Sequence, residues 1–107
     1  MSREGLTKMS KIEVVVAGSE ASAVRELFEA VGATGYTSLS GVSGLGHHGY
    51  HQGRLLFNDQ ATLELLITVV SDDKVDALLS GLRALLSESS GVMFLSDTYV
   101  SRPEYFR

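Results

Sequence analysis

The hydrophobic period of this chain switches from two residues to 3.6 and back, twice over, and that alternation restricts the fold more than any other feature. The first strand-like run is KIEVVVAG, Lys11–Gly18, short and β-branched. It places Ile12, Val14 and Val16 on one face and Glu13, Val15 and Ala17 on the other. In SEASAVRELFEAVG, Val24, Leu27, Phe28 and Val31 then recur at helical spacing. Ser19 offers an N-cap hydroxyl, Glu20 falls in the first turn, and Gly32 supplies a left-handed stop. The second cycle opens with ATLELLITVV, Ala61–Val70, the strongest strand. Leu63, Leu65, Ile67 and Val69 form its apolar face, and Thr62, Glu64, Leu66 and Thr68 a mixed one. Ser71, Asp72 and Asp73 suit the start of a second helix, whose stripe is Val75, Leu78, Leu79, Leu82, Leu85 and Leu86. SESSG ends it, and VMFLSDTYV, Val92–Val100, reads as the last strand. Between the two cycles, YTSLSGV, Tyr36–Val42, is a weaker, hydroxyl-rich strand in which Gly41 marks a bulge.

Strand, helix, strand, strand, helix, strand predicts an α+β ferredoxin-like βαββαβ sandwich, an antiparallel four-stranded sheet with both helices on one face. The 107 residues suit one domain at 11–100, with a disordered tail at 1–10 and a C-terminal tail at 101–107. The sheet face away from the helices is expected to carry Glu13, Val15, Glu64, Leu66 and Thr68. That set is too apolar for free solvation and too polar for a dry core, so it is expected to face another subunit.

The charge of −4 and the scattered Lys and Arg residues argue against nucleic-acid binding. There is no cysteine, which excludes disulfides and thiolate metal sites. No apolar run reaches the roughly 20 residues of a membrane span. The polar start MSREGLTKMSK lacks the apolar core of a secretory signal, so a cytoplasmic location without membrane insertion is expected.

One stretch does not fit the periodic scheme. GVSGLGHHGYHQGRL, Gly41–Leu55, holds five glycines and all three histidines. Glycines let backbone N–H groups approach an anion closely, so SGLGHH is a candidate phosphate nest, although no Walker pattern follows. His47, His48 and His51 also form a candidate zinc or copper set, since imidazole ligates both metals.

The surroundings of this loop resemble the PII signalling proteins. AVRELFEAVGATGYTSLSGVSGLG is similar to that family's first helix, second strand and T-loop entry: Val31–Gly32, Thr34–Gly35, Thr37 or Ser38, then Gly44–Leu45–Gly46. LELLITVVSDDKVDALLSGL is similar to its third strand and second helix. The resemblance runs from Lys11 to Tyr99. It implies a homotrimer, an adenine nucleotide in each cleft between subunits, and a T-loop, here short and at about 43–54, whose shape reports the ligand. Carried over by position, Gly44, Leu45 and Gly46 would bring backbone donors to phosphate. His47 and His48 stand where the family usually has an Arg-Gln pair. Thr37 or Ser38 would face the adenine, with the register open by one residue. Arg102 stands near the family's C-terminal phosphate-binding arginines, and Gly91 offers a further backbone donor. The family's B-loop, T-G-x-x-G-D-G-K, is replaced by SESSGVMF. Loss of its lysine and glycine nest favours ADP or AMP at least as much as ATP.

The short loop, the missing B-loop and the tail SRPEYFR look most like PII-like proteins encoded near carboxysomes and bicarbonate transporters. This implies a second ligand, bicarbonate, on the backbone of Gly46 with His47, His48 and an arginine fork from Arg54 or Arg102. It also implies a protein partner such as a transporter or carboxysome component. No resident cofactor or metal is expected. The alternative is a CutA-like trimer binding metal through His47, His48 and His51. No catalytic set is legible, so binding rather than chemistry is the expected output. Glu13 and Glu64 are expected to share the central sheet face, bonding water or basic groups there. Tyr105 and Phe106 are expected to pin the tail, placing Arg102 over the cleft.

Overall fold

A computed structural model of the chain describes residues 3–43, 45–46, 49–50 and 62–107. The elements follow in the expected order, with two short strands, β3 and β4, added inside the glycine–histidine stretch: β1 (Thr7–Ala17), α1 (Ala21–Ala30), β2 (Thr37–Val42), β3 (Leu45–Gly46), β4 (Gly49–Tyr50), β5 (Leu63–Val70), α2 (Val75–Leu86) and β6 (Val92–Val100). The main sheet runs β2-β5-β1-β6 with every neighbouring pair antiparallel. β3 and β4 pair separately, Leu45 with Tyr50 and Gly46 with Gly49. This is the α+β ferredoxin-like sandwich.

Both helices pack on one sheet face. Ile12, Val14 and Val16 of β1 meet Val24 and Phe28 of α1, Leu78 and Leu82 of α2, and Leu66 and Val70 of β5 in one cluster, each at most 1% exposed. Each such side chain contributes about 1.5–3 kcal/mol by burial. The helices approach closely where Gly81 of α2 faces Leu27: a Cβ at Gly81 would come 2.5 Å from the Leu27 Cδ1. α1 stops as its sequence requires. Gly32 takes φ 86°, its N–H donates to the Glu29 carbonyl (3.1 Å), and the Ala33 N–H reaches back to Phe28 (2.9 Å). These bonds satisfy the end of the helix in a Schellman turn. The Lys74 ammonium adds a bond to the Gly32 carbonyl at 2.8 Å, tying the start of α2 to the end of α1.

Three details differ from the sequence reading. The first strand begins at Thr7 rather than Lys11, because β6 continues far enough to pair Thr7 with Val100 and Lys8 with Tyr99. Met9, inside this extension, is 3% exposed. Ser19 does not cap α1: a 3₁₀ turn over Gly18–Glu20 precedes the helix, no side-chain cap bond forms, and the Gly18 N–H donates to the Thr62 carbonyl instead (2.8 Å). A similar turn, Asp72–Lys74, leads into α2. Gly41 does carry the bulge, with φ 73° and a register shift between Ser40 and Val42.

The third difference concerns which face of β5 is buried. Cross-strand pairing sets Thr68 opposite Ile12, Leu66 opposite Val14 and Glu64 opposite Val16. Residues directly opposite share a face, so Glu64, Leu66 and Thr68 lie under the helices and not on the open side. The open side carries Leu63, Leu65, Ile67 and Val69 beside Lys11, Glu13 and Val15. It continues through Leu39, opposite Leu65, and through Val92 and Phe94 of β6. Glu13 and Glu64 therefore sit on opposite faces. The two polar side chains drawn under the helices are satisfied: Glu64 pairs with Arg25, and the Thr68 hydroxyl donates to the Gly35 carbonyl at 2.6 Å. The open face is left more apolar than expected, with Leu39 52%, Val92 47% and Phe94 55% exposed. A continuous apolar surface of this kind is suited to association with another chain.

Candidate functional site

The described glycine and arginine candidates fall at opposite ends of the sheet. At one end, β1 finishes at Ala17 opposite Leu63, Leu63 lies opposite Val42 of β2, and Val92 begins β6 beside Val15. Leu45 and Gly46, in β3, follow Val42 closely in the chain, and Gly91 immediately precedes β6. At the other end β6 finishes at Val100 and the tail carries Arg102, whereas Thr37 and Ser38, paired with Ile67 and Leu66, are level with Phe94 and Met93 and so lie nearer the first end. The nine residues of β6 separate Gly91 from the tail. At about 3.4 Å per residue the strand spans roughly 27 Å. Gly91 and Arg102 of one chain cannot meet on the same phosphate.

Gly91 has a packing reason to be glycine. A Cβ there would lie 2.7 Å from the Val16 Cγ1, 2.9 Å from the Leu86 Cδ2 and 3.0 Å from the Val15 carbonyl oxygen. Its N–H donates to the Ser89 hydroxyl at 2.8 Å, so an incoming anion would compete with that bond. Thr37 and Ser38 are both exposed on the edge strand, opposite Ile67 and Leu66 respectively. Thr37 thus lies on the open face and Ser38 on the helix side. Gly44, His47, His48, His51 and Arg54 lie outside the described residues. Among the described residues no group of three or more His, Asp or Glu converges as metal ligands.

The tail makes a compact turn. Pro103 opens a 3₁₀ turn, Pro103–Tyr105, where its fixed φ and missing N–H carry no penalty. The Tyr105 N–H donates to the Arg102 carbonyl (3.0 Å), and the Phe106 N–H to the Pro103 carbonyl (2.9 Å). The Thr34 hydroxyl donates to the Tyr105 carbonyl at 2.5 Å, fixing the turn to the corner between α1 and β2. The tail is therefore pinned, chiefly through the backbone of Tyr105. The Arg102 Nη1 donates to the Tyr105 hydroxyl at 3.1 Å, and its guanidinium lies 5.7 Å from the ring centroid.

Sequence reading assigned no ligand to the residues of a groove of about 470 Å³ at the first end, lined by Gly18, Ser19, Ser22, Ser40, Thr62, Leu63 and Glu64. Three of its four hydroxyls, those of Ser19, Ser22 and Ser40, come from two serine-rich stretches, SEAS and TSLS, and Thr62 supplies the fourth, a signal legible only once β2 and the start of α1 are placed side by side. Glu64, 7% exposed, accepts a bond from the Arg25 Nη2 beneath this groove. The Arg25 guanidinium also lies 5.9 Å from the Tyr36 ring centroid, so one side chain links α1, β5 and the start of β2. Asp73, by contrast, is a surface group. The Ser71 hydroxyl bonds its carboxylate and, against the opposing effect of burial and with lesser help from backbone and Lys74, holds it below the usual carboxylate range.

The chain matches the family model described as nitrogen regulatory protein P-II over residues 9–105. Among curated proteins nothing matches. Among solved structures it is similar to CPII, a nitrogen regulatory PII-like protein from Thiomonas intermedia K12, bound to ADP, AMP and bicarbonate. That similarity has a TM-score of 0.87 and 34% identity, covering 95% of this chain and 96% of the other. CPII of the same organism bound to ADP and bicarbonate gives 0.84 and 32%, covering 95% and 97%. With ADP, AMP and acetate bound, it gives 0.79 and 31%, again covering 95% and 97%.

Proposed function

The chain belongs to the nitrogen regulatory P-II family, and from that premise we propose that it is a trimeric, cytoplasmic sensor of an adenine nucleotide and bicarbonate. The observation that carries this reading is the separation of its candidate ligand groups by the length of β6. One subunit holds Arg102 at one end and Leu45, Gly46 and Gly91 at the other, with Thr37 and Ser38 level with Phe94 and Met93 between them. Two adjacent copies bring opposite ends together, so that each cleft takes adenine and arginine contacts from one subunit and loop-base donors from its neighbour. The apolar open face supplies the surface on which such copies associate.

ADP or AMP fits this cleft at least as well as ATP. The chain lacks the glycine–lysine B-loop that would compensate a third phosphate, and the Gly91 N–H already has a partner in Ser89. CPII has been seen with ADP, AMP and bicarbonate, and with acetate, another small planar anion. For bicarbonate we assign the backbone of Gly46 with His47, His48 and a fork from Arg54 or Arg102. For phosphate we assign Gly44, Leu45, Gly46, His47, Gly91 and Arg102. Ordering the 43–54 loop around these ligands would present or hide a surface for a protein partner, such as a bicarbonate transporter or a carboxysome component. The output is binding and not turnover.

Calorimetric titration of metal-stripped protein with ADP, AMP and ATP, each with and without bicarbonate, tests this. Saturable binding near one nucleotide per subunit, tightened by bicarbonate, is expected. Bicarbonate must then bind more tightly to the nucleotide-loaded protein by the same factor. Absence of nucleotide binding would refute the sensor reading. If zinc or copper bound instead and the affinity disappeared with His47, His48 and His51, the family fold would be serving a metal site.

A further inference from the structure

Resting on the reading of Arg102 as a phosphate ligand for the neighbouring subunit's nucleotide, we propose that Tyr105 is its positioning residue, and that Thr34 holds Tyr105 in place. Arg102 is exposed at the end of the chain, where an unrestrained arginine would sample many rotamers and lose that freedom on binding. Here both ends of the residue are restrained. Its carbonyl accepts the Tyr105 N–H at 3.0 Å, and its Nη1 donates to the Tyr105 hydroxyl at 3.1 Å. The ring beneath the guanidinium adds a cation–π contact at 5.7 Å. The remaining guanidinium N–H groups have no partner among the described residues and stay available for a second fork of bonds to an anion.

Tyr105 could not serve this purpose if it moved freely. It is 59% exposed, so packing does not hold it. What holds it is the Thr34 hydroxyl on its carbonyl at 2.5 Å, together with the turn that Pro103 opens. Thr34 lies in the short connection between the Gly32 stop of α1 and Thr37, the first residue of β2. The Thr68 hydroxyl, 2% exposed, anchors the same connection through the Gly35 carbonyl. The arginine and the base-facing end of β2 are thereby carried on one rigid corner. A nucleotide in the cleft would meet both in a fixed relation, which lowers the ordering cost of binding.

The test is a double-mutant cycle on the full-length trimer, with ADP and adenosine as probes. Arg102→Ala should weaken ADP and leave adenosine unchanged, because adenosine carries no phosphate. Tyr105→Phe keeps the ring but removes the hydroxyl acceptor. It should weaken ADP about five-fold, or close to 1 kcal/mol, with adenosine affinity and melting temperature unchanged. In the Arg102→Ala background it should have no further effect. Thr34→Val should act in the same direction and show the same dependence on Arg102. Additive losses would overturn the positioning role, as would equal losses for ADP and adenosine, or an unchanged ADP affinity in Tyr105→Phe while Arg102→Ala loses it. Unchanged ADP affinity in Arg102→Ala would instead remove the arginine from the site, and the role of Tyr105 with it.

Discussion

Replacing Arg25 with methionine should cost far more stability than a half-exposed arginine normally does. The partner, Glu64, is 7% exposed and sits under the helices, opposite Val16, where no other cation is paired with it among the described residues. Methionine keeps much of the arginine's apolar stem but leaves the carboxylate buried without its counter-charge. Breaking a fully buried pair costs about 3–5 kcal/mol. The Arg25 side chain is 31% exposed, and Glu64 borders an open groove through which water can reach it. That exposure reduces the expected cost to about 1.5–3 kcal/mol. For a chain near 100 residues this lowers the melting temperature by roughly 6–20 °C. The assay is thermal and urea unfolding followed by circular dichroism at fixed protein concentration, because association contributes to the stability of an oligomer. The double variant Arg25→Met/Glu64→Leu removes both charges and should recover most of the loss, giving a coupling of at least about 1 kcal/mol. A cost below about 0.5 kcal/mol for Arg25→Met, typical of surface changes, would refute the reasoning. So would strictly additive single and double variants.

Other outcomes follow from the same structure. Gly91→Ala retains the backbone N–H but forces a methyl against Val16, Leu86 and the Val15 carbonyl, so it should destabilise by about 1–3 kcal/mol in chemical denaturation; an unchanged midpoint would contradict that packing. Leu65→Asp puts a charge in the middle of the open apolar face, and light scattering should find the proposed trimer dissociated at concentrations where the parent is assembled. Asp73 has a folded pKa below its ordinary 3.8, so its contribution is complete above the unfolded value and lost as the pH falls through the lower folded one. Asp73→Asn should therefore reduce the acid-side loss of stability and leave the pH dependence above neutrality unchanged, as measured by melting temperature against pH.

The order of elements was legible because period two and period 3.6 alternate cleanly, and because Gly32 and Gly41 stand where left-handed backbone is needed. The facing of β5 was not. A strand that reads Leu63, Leu65, Ile67 and Val69 on one side and Glu64, Leu66 and Thr68 on the other invites burial of the wholly apolar set under the helices. That argument assumes one dry face per sheet. Here both faces are apolar, and the polar residues on the helix side are affordable because Arg25 and the Gly35 carbonyl lie waiting for them, 39 and 33 residues away in the chain. Ser19 illustrates a local competitor: the 3₁₀ turn and the Gly18–Thr62 bond replaced the expected cap. For the site, glycine and arginine positions stood out in the sequence, but their distribution over two ends of the sheet did not. The bond between Thr34 and Tyr105 joins residues 71 apart and leaves no periodic trace.

The claim that each ligand cleft is shared between two subunits is tested most directly by complementation. Arg102→Ala disables one end of the subunit, and Gly46→Asp, which places a carboxylate at the loop base, disables the other. Each variant alone should bind ADP well below the parent's affinity. Unfolded together and refolded as mixed trimers, they should regain binding at about one cleft in four by random assortment, each such cleft pairing an intact arginine with an intact loop base. Restored ADP binding in the mixture, absent when the two variants are merely combined after folding, is the predicted result. If the mixture binds no more ADP than its parents, although mixed trimers have formed, the shared-cleft account is wrong.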